Sequence, residues 1–209
     1  MAHEIRDVGD GLWLWRLDHP AWEPGLEWPP TVTSTCVESR GEVALLDPLA
    51  PPEDSEVWAR LDERPPTMVV VLKPDHVRDV DLFVDRYGAR AFGPWLFFRD
   101  DVPKTELEAI EPGSELPGGL VALYDGRGRM ETPLWLPEQR TIVFADGLTA
   151  PEGELRVWAT SPAHEERALA ALRALLDLPF ERVIVAHGEP VHDRVAYERA
   201  LELPRWAAG

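Results

Sequence analysis

The sequence predicts a layered α/β fold with two sheets covered by helices, and three observations carry that prediction. Strand-like apolar runs lie on both sides of a central helical region. The clearest helix presents one apolar stripe, the face that a sheet would cover. At 209 residues the chain can build one substantial core, and length alone calls for no second domain. It is read as one domain over residues 1–209.

Residues 11–17, GLWLWRL, alternate Leu12 and Leu14 against Trp13 and Trp15, the period-two pattern of a strand. A loop rich in proline and tryptophan follows, DHPAWEPGLEWPP. Two more strands, TVTSTCVES and EVALLD, flank the turn signal Arg40-Gly41. A short helix is expected over 54–63, with Val57, Trp58 and Leu61 on one face. Then comes the buried run VVVL (69–72), and after it Val77, Val80, Phe83 and Val84 at helical spacing, ending at Tyr87-Gly88.

Residues 100–118 are acidic and interrupted by proline, and read as surface loop. Strands are expected at 119–124, 133–136 and 141–144. Over 162–176, Ser161 supplies a cap, Pro162 suits the first position, and Glu165 and Glu166 face the positive end of the dipole. Ala168, Leu169, Leu172, Leu175 and Leu176 form its stripe. A last strand at 182–185 and a last helix at 193–203 complete the chain.

Charge excludes several function classes. Lys+Arg total 21 against 38 Asp+Glu, a net charge of −17. A field of that sign repels phosphate backbones and anionic bilayers, so neither nucleic acid nor a membrane surface is an expected partner. No run of about 18 apolar residues could cross a bilayer, and no charged-then-apolar leader opens the chain. The lone Cys36 cannot form an internal disulfide and reads as a small core residue. A reducing cytoplasm is the expected location.

Chemistry concentrates where apolar runs end. VVVLKPDHVRD, IVFADG and VIVAHGEP each place an acid or an imidazole directly after a buried run, with glycine or proline bending the chain. Rigid sheets fix side chains at such ends, so three of them point to a shared site.

Here the sequence resembles the metallo-β-lactamase-fold superfamily over nearly its whole length. VALLDPLAPP looks like the family's second-strand signature ending in an aspartate, and VLKPDHVRDVDLFVDRYGARAFGP like its metal-motif strand, loop and helix. IVFADG looks like the strand ending in the metal-bridging aspartate, and VIVAHGEP like the strand ending in the last histidine ligand. The resemblance implies a four-layer αββα sandwich with the site along one edge.

The family's His-x-His-x-Asp-His signature is incomplete. The register that keeps most ligands places Pro74, His76, Arg78 and Asp79 on its four ligand positions. A register one residue earlier would use Lys73 and Asp75 but leave Val77 and Arg78 on the remaining positions. DGRGRMET (125–132) carries no histidine where the family has another. Asp146 and His187 match the bridging aspartate and the last histidine.

Three readings follow. In the first, the Arg78 guanidinium forks onto Asp146 or Asp79, takes a cation's place, and no cofactor is bound. In the second, one divalent ion (zinc, iron or manganese) binds Asp79, Asp146 and His187, with His76 as a further ligand, and supports hydrolysis of an ester, thioester or related substrate. In the third, the charges are a solvated run. The catalytic candidates are His76, Arg78 and Asp146.

Lys73 reads as a salt-bridge partner or a buried base, and Glu131 as a residue facing the site. Trp22 and Trp28 either cover a small-molecule ligand or pin their loop or a homodimer contact. His3 is expected to fray, while His164 and His192 are expected to be exposed.

Overall fold

The computed structural model describes residues 3–26, 28–97, 101–124 and 131–206. Seven strands form the first sheet in chain order: β1 (His3–Gly9), β2 (Leu12–Asp18), β3 (Thr31–Ser39), β4 (Glu42–Leu46), β5 (Met68–Val70), β6 (Arg90–Gly93) and β7 (Glu108–Ala109). Strands β1 to β4 pair antiparallel, whereas β4 to β7 run parallel. The second sheet comprises β8 (Glu115–Leu116), β9 (Leu120–Ala122), β10 (Leu134–Leu136), β11 (Thr141–Val143), β14 (Arg182–Ile184) and β15 (Val191–Asp193). Between them in sequence, β12 (Leu148–Thr149) and β13 (Arg156–Val157) pair as a two-stranded ribbon.

Helices α1 (Glu56–Glu63) and α2 (Val80–Tyr87) cover the outer face of the first sheet, and α3 (Pro162–Ala174) and α4 (Arg194–Ala200) that of the second. Three apolar layers result. Leu12, Leu14, Leu46 and Val70 meet Leu134, Leu136, Val143 and Ile184 between the sheets. Trp13, Trp15 and Val69 face Val57, Leu61, Val80 and Phe83 on the helix side. Ile142, Phe144 and Val183 face Leu172 and Tyr197 on the opposite side. The alternation in GLWLWRL therefore divides β2 between two cores. The molecule is the expected four-layer αββα sandwich.

Local chemistry sets the boundaries. Ser55 and Ser161 cap α1 and α3 by accepting N–H bonds from Val57 and His164. Gly88 ends α2 in the left-handed region, with φ of 66°. Two expectations need correction. His3 does not fray, because its backbone opens β1 and pairs with Leu17 of β2. The 101–118 stretch is not wholly loop: β7 and β8 close the two sheets there, each only two residues long and too short to leave a periodic signal. Among the described residues, no helix is long and apolar enough to cross a membrane.

Candidate metal centre

The three strand ends converge at one edge. Strands β11 and β14 run parallel with Val143 opposite Ile184, so three residues further on Asp146 lies level with His187. His76 enters from the facing sheet, on the loop after β5. A bridge between Val32 and His187, and the Thr33 N–H donating to the Ala186 carbonyl at 2.9 Å, join the sheets beside the site. Gly188 sits at φ of 86°, and a Cβ there would lie 1.9 Å from the Ala150 carbonyl oxygen, so only glycine fits after the histidine.

His76, Asp146 and His187 are all buried, and one donor atom of each lies within 4.8 Å of the others. Both imidazoles aim Nε2 at the same oxygen, Asp146 Oδ1, at 3.3 Å from His76 and 3.2 Å from His187. The other nitrogen of His76, Nδ1, is 2.8 Å from Asp47 Oδ2. Asp47 Oδ1 accepts the Leu72 N–H at 2.7 Å, so this carboxylate ties the imidazole to the start of its own loop. His187 Nδ1 is buried with no hydrogen-bond partner among the described residues.

Lys73 adds a positive charge. Its Nζ is 2.9 Å from Asp146 Oδ2 and also pairs with Asp75. Burial works against the ammonium, but Asp146 and then Asp75 outweigh it and raise the lysine pKa. Burial likewise opposes the imidazolium of His76, yet Asp146 and Asp47 lift its pKa to about 9. Burial lowers that of His187, with Asp146 opposing. Burial would raise Asp146, but His76 and Lys73 hold its carboxyl well below the usual range.

Arg78 is placed differently from the expected fork. It lies in the left-handed region at φ of 46°, and its Nη1 donates to two main-chain carbonyls, Thr33 at 2.8 Å and Asp47 at 2.5 Å. Residue 78 turns the chain between β5 and α2, which directs the guanidinium onto the ends of β3 and β4. Asp79 is not brought to the cluster. Its Oδ2 accepts the Ala50 N–H at 2.7 Å, tying the start of α2 to the loop after β4.

Glu131 lies behind the cluster, almost completely buried. Oε1 accepts the Ala145 N–H at 2.9 Å, and Oε2 accepts those of Asp146 at 3.0 Å and Gly147 at 2.5 Å. It thus clamps the turn that carries Asp146. Burial and the Asp146 charge raise its pKa to about 7 against those three donors. Segment 125–130, which falls where the family's further histidine is expected, lies outside the described residues.

A cavity of about 410 Å³ opens onto the cluster, walled by His19, Trp28, Asp75, Arg78 and Trp158 among others. Trp28 and Trp158 flank His187, with ring centroids 5.4 and 5.7 Å away. Trp22 stands back from the cavity, donating its indole N–H to the Trp28 carbonyl at 2.7 Å. Trp28 is therefore cavity wall and Trp22 its anchor.

Other histidines lie elsewhere. His192 is buried, not exposed as expected, because β15 sits under α4 and its Nε2 bonds the Glu189 carbonyl at 2.8 Å. His164 lies on the first turn of α3, half-buried rather than open, with its Nδ1 accepting the Thr160 N–H at 3.3 Å. The Cys36 thiol is buried in the core and burial pushes it up to about 12, an inert state.

Sequence reasoning assigned no role to Asp47, although it follows the buried run EVALL just as Asp146 follows IVFA. That shared pattern was the available signal. His19 and Trp158 carried none, since neither ends a buried run.

No family model matches this chain, and no curated protein matches it. Solved structures do. A metallo-β-lactamase from Pontibacter korlensis is 15% identical over 97% of this chain and 100% of its own, with a TM-score of 0.70. A metallo-β-lactamase from Erythrobacter litoralis, solved with β-mercaptoethanol in its active site, is 16% identical over 96% and 95%, with a TM-score of 0.72. FIM-1 from Pseudomonas aeruginosa, in its mono-zinc form, is 17% identical over 97% and 96%, with a TM-score of 0.67. Two packed sheets with helices on both outer faces, and near-complete overlap with these structures at TM-scores of 0.67 to 0.72, give one conclusion: this chain has the metallo-β-lactamase fold.

Proposed function

We propose that this protein is a hydrolase that works with one divalent metal ion, held by His76, Asp146 and His187. The observation that supports it most is the convergence of two imidazole nitrogens and one carboxylate oxygen, all buried, at the floor of an open cavity. Two nitrogens and an oxygen suit zinc, iron or manganese, and three protein ligands leave a position for water or substrate. Asp47 behind His76 is the carboxylate support that a metal-ligating imidazole commonly has. FIM-1 in its mono-zinc form is an example of this fold with one ion.

A bound ion would supply Lewis-acid activation of water and of a carbonyl or phosphoryl oxygen. The chain's own groups do the rest. Asp47 fixes the His76 ring, Glu131 fixes the Asp146 turn, and Trp28 and Trp158 present apolar faces to a small substrate. An ester or thioester with an apolar portion fits that wall.

A second reading has its own observation. Lys73 already places a positive charge on Asp146, which favours a non-catalytic cluster in which lysine and a protonated His76 balance the acids. One experiment separates the two. Protein purified without chelator and dialysed separately against zinc, manganese and ferrous iron is assayed for metal content and for hydrolysis of ester and thioester panels. The hydrolase reading expects about one ion per chain, lost in Asp146→Ala and His187→Ala, together with activity that follows occupancy. No retained ion under any condition would leave the non-catalytic reading standing.

A further inference from the structure

We infer that Lys73 is the resident second cation of the site: its ammonium holds the outer oxygen of Asp146, so the cluster takes one divalent ion and not a pair. This rests on the one-ion reading above and names the residue that enforces it.

The argument begins with the two oxygens of Asp146. Oδ1 faces both imidazoles, at 3.3 and 3.2 Å, and is the oxygen an ion among the three ligands would use. Oδ2 points away from them to Lys73 Nζ, 2.9 Å distant. A carboxylate can serve a different cation on each oxygen, and here one oxygen is already served.

Lys73 is not a mobile surface side chain. Its side chain is 4% exposed, as is that of Asp146. It follows the buried run VVVL directly and is itself almost completely buried, so its ammonium is set at a defined point. A lysine held in this way loses little further freedom by staying on the carboxylate.

The same ammonium also pairs with Asp75, whose side chain is 38% exposed and lines the cavity. Two carboxylates therefore converge on one nitrogen. With the ammonium gone, the two carboxylates would lose the cation they share, while the Arg78 Nη1 beside them stays engaged by the Thr33 and Asp47 carbonyls; paired hard oxygen donors are an arrangement that divalent cations favour. The lysine thus fills with covalent, permanent charge a place where a second ion would otherwise be drawn. Its charge also opposes the ion at Oδ1, because both cations share one carboxylate.

The test is calorimetric titration of the full-length protein with zinc chloride, paired with metal analysis after dialysis. Wild type, Lys73→Met, Lys73→Gln and Lys73→Arg are compared, each checked for folding by near-UV circular dichroism. Wild type and Lys73→Arg are expected to take one equivalent. Lys73→Met is expected to bind the first ion at least about tenfold tighter and to take more than one equivalent. Lys73→Gln, which keeps a polar group at Oδ2, is expected to change in the same direction and serves if Lys73→Met does not fold.

One equivalent at wild-type affinity in both neutral variants would overturn the inference. Two equivalents in wild type would overturn it as well. If wild type takes none and a neutral variant takes one, the one-ion function fails while Lys73 as the occupying cation stands. If no form binds zinc, both fall.

Discussion

The Asp47 carboxylate bonds His76 Nδ1 at 2.8 Å through one oxygen and the Leu72 N–H at 2.7 Å through the other. Asp47 itself sits at φ of 45°, a conformation aspartate tolerates better than most residues. A single side chain thus sets both the ring orientation of a candidate ligand and the path of the backbone before it. Asp47→Ala is expected to weaken zinc binding by about 10- to 100-fold, the usual effect of losing such a support. Competition against a chromophoric chelator measures it. Asp47→Asn, which keeps an acceptor for Leu72, is expected to lose less stability than alanine.

Arg78 satisfies two buried carbonyls from a left-handed backbone. Arg78→Ala removes both donors and keeps the strain. Urea unfolding is expected to show a loss of about 2–4 kcal/mol. Arg78→Lys offers a point charge instead of a planar fork and is expected to fall between the two. An unchanged unfolding midpoint in Arg78→Ala would remove the structural role assigned to this arginine.

Glu131 receives three main-chain N–H bonds around Asp146. Glu131→Gln turns an amide donor toward some of those donors. The expected outcome is a loss of about 1–3 kcal/mol in stability and a parallel fall in zinc affinity, because the Asp146 turn loosens. Calorimetry with and without zinc reads both.

His19 stays neutral in the fold. Burial first, then Arg78, His76 and His187, hold its pKa down to about 4, and Asp79 opposes them. Its ordinary value is 6.5, so between these limits the unfolded chain binds the extra proton. This contribution to stability is complete above pH 6.5 and is lost as pH falls toward 4. For a partly exposed group the effect is of order 1 kcal/mol. His19→Asn is expected to lose correspondingly less stability than wild type between those pH values, measured by urea unfolding at each.

Much of this was readable before any coordinates. The tryptophan and leucine alternation of β2, the Ser161 cap and the buried runs ending in Asp146 and His187 all carry periodic or positional signals, and the structure forms each element. What stayed hidden depended on direction. No pattern says whether a buried lysine or a nearby arginine will face a carboxylate; backbone geometry decides. Positive φ at residue 78 aims the guanidinium at the ends of β3 and β4, while the bend at the exit of β5 places Lys73 against Asp146. Asp79 has a ligand's chemistry, yet α2 begins there and its oxygen goes to the Ala50 N–H. The short edge strands β7 and β8 were hidden for another reason, since two residues cannot display a period.

The joint between the sheets at Val32, Thr33, Ala186 and His187 places the candidate ligands on the molecule's own seam. Breathing motions that part the sandwich at this end would scatter the donors, and a guest gripping all three would stitch the halves together. Amide deuterium uptake at Thr33 should then slow on loading, making that one backbone proton a gauge of occupancy that needs no substrate.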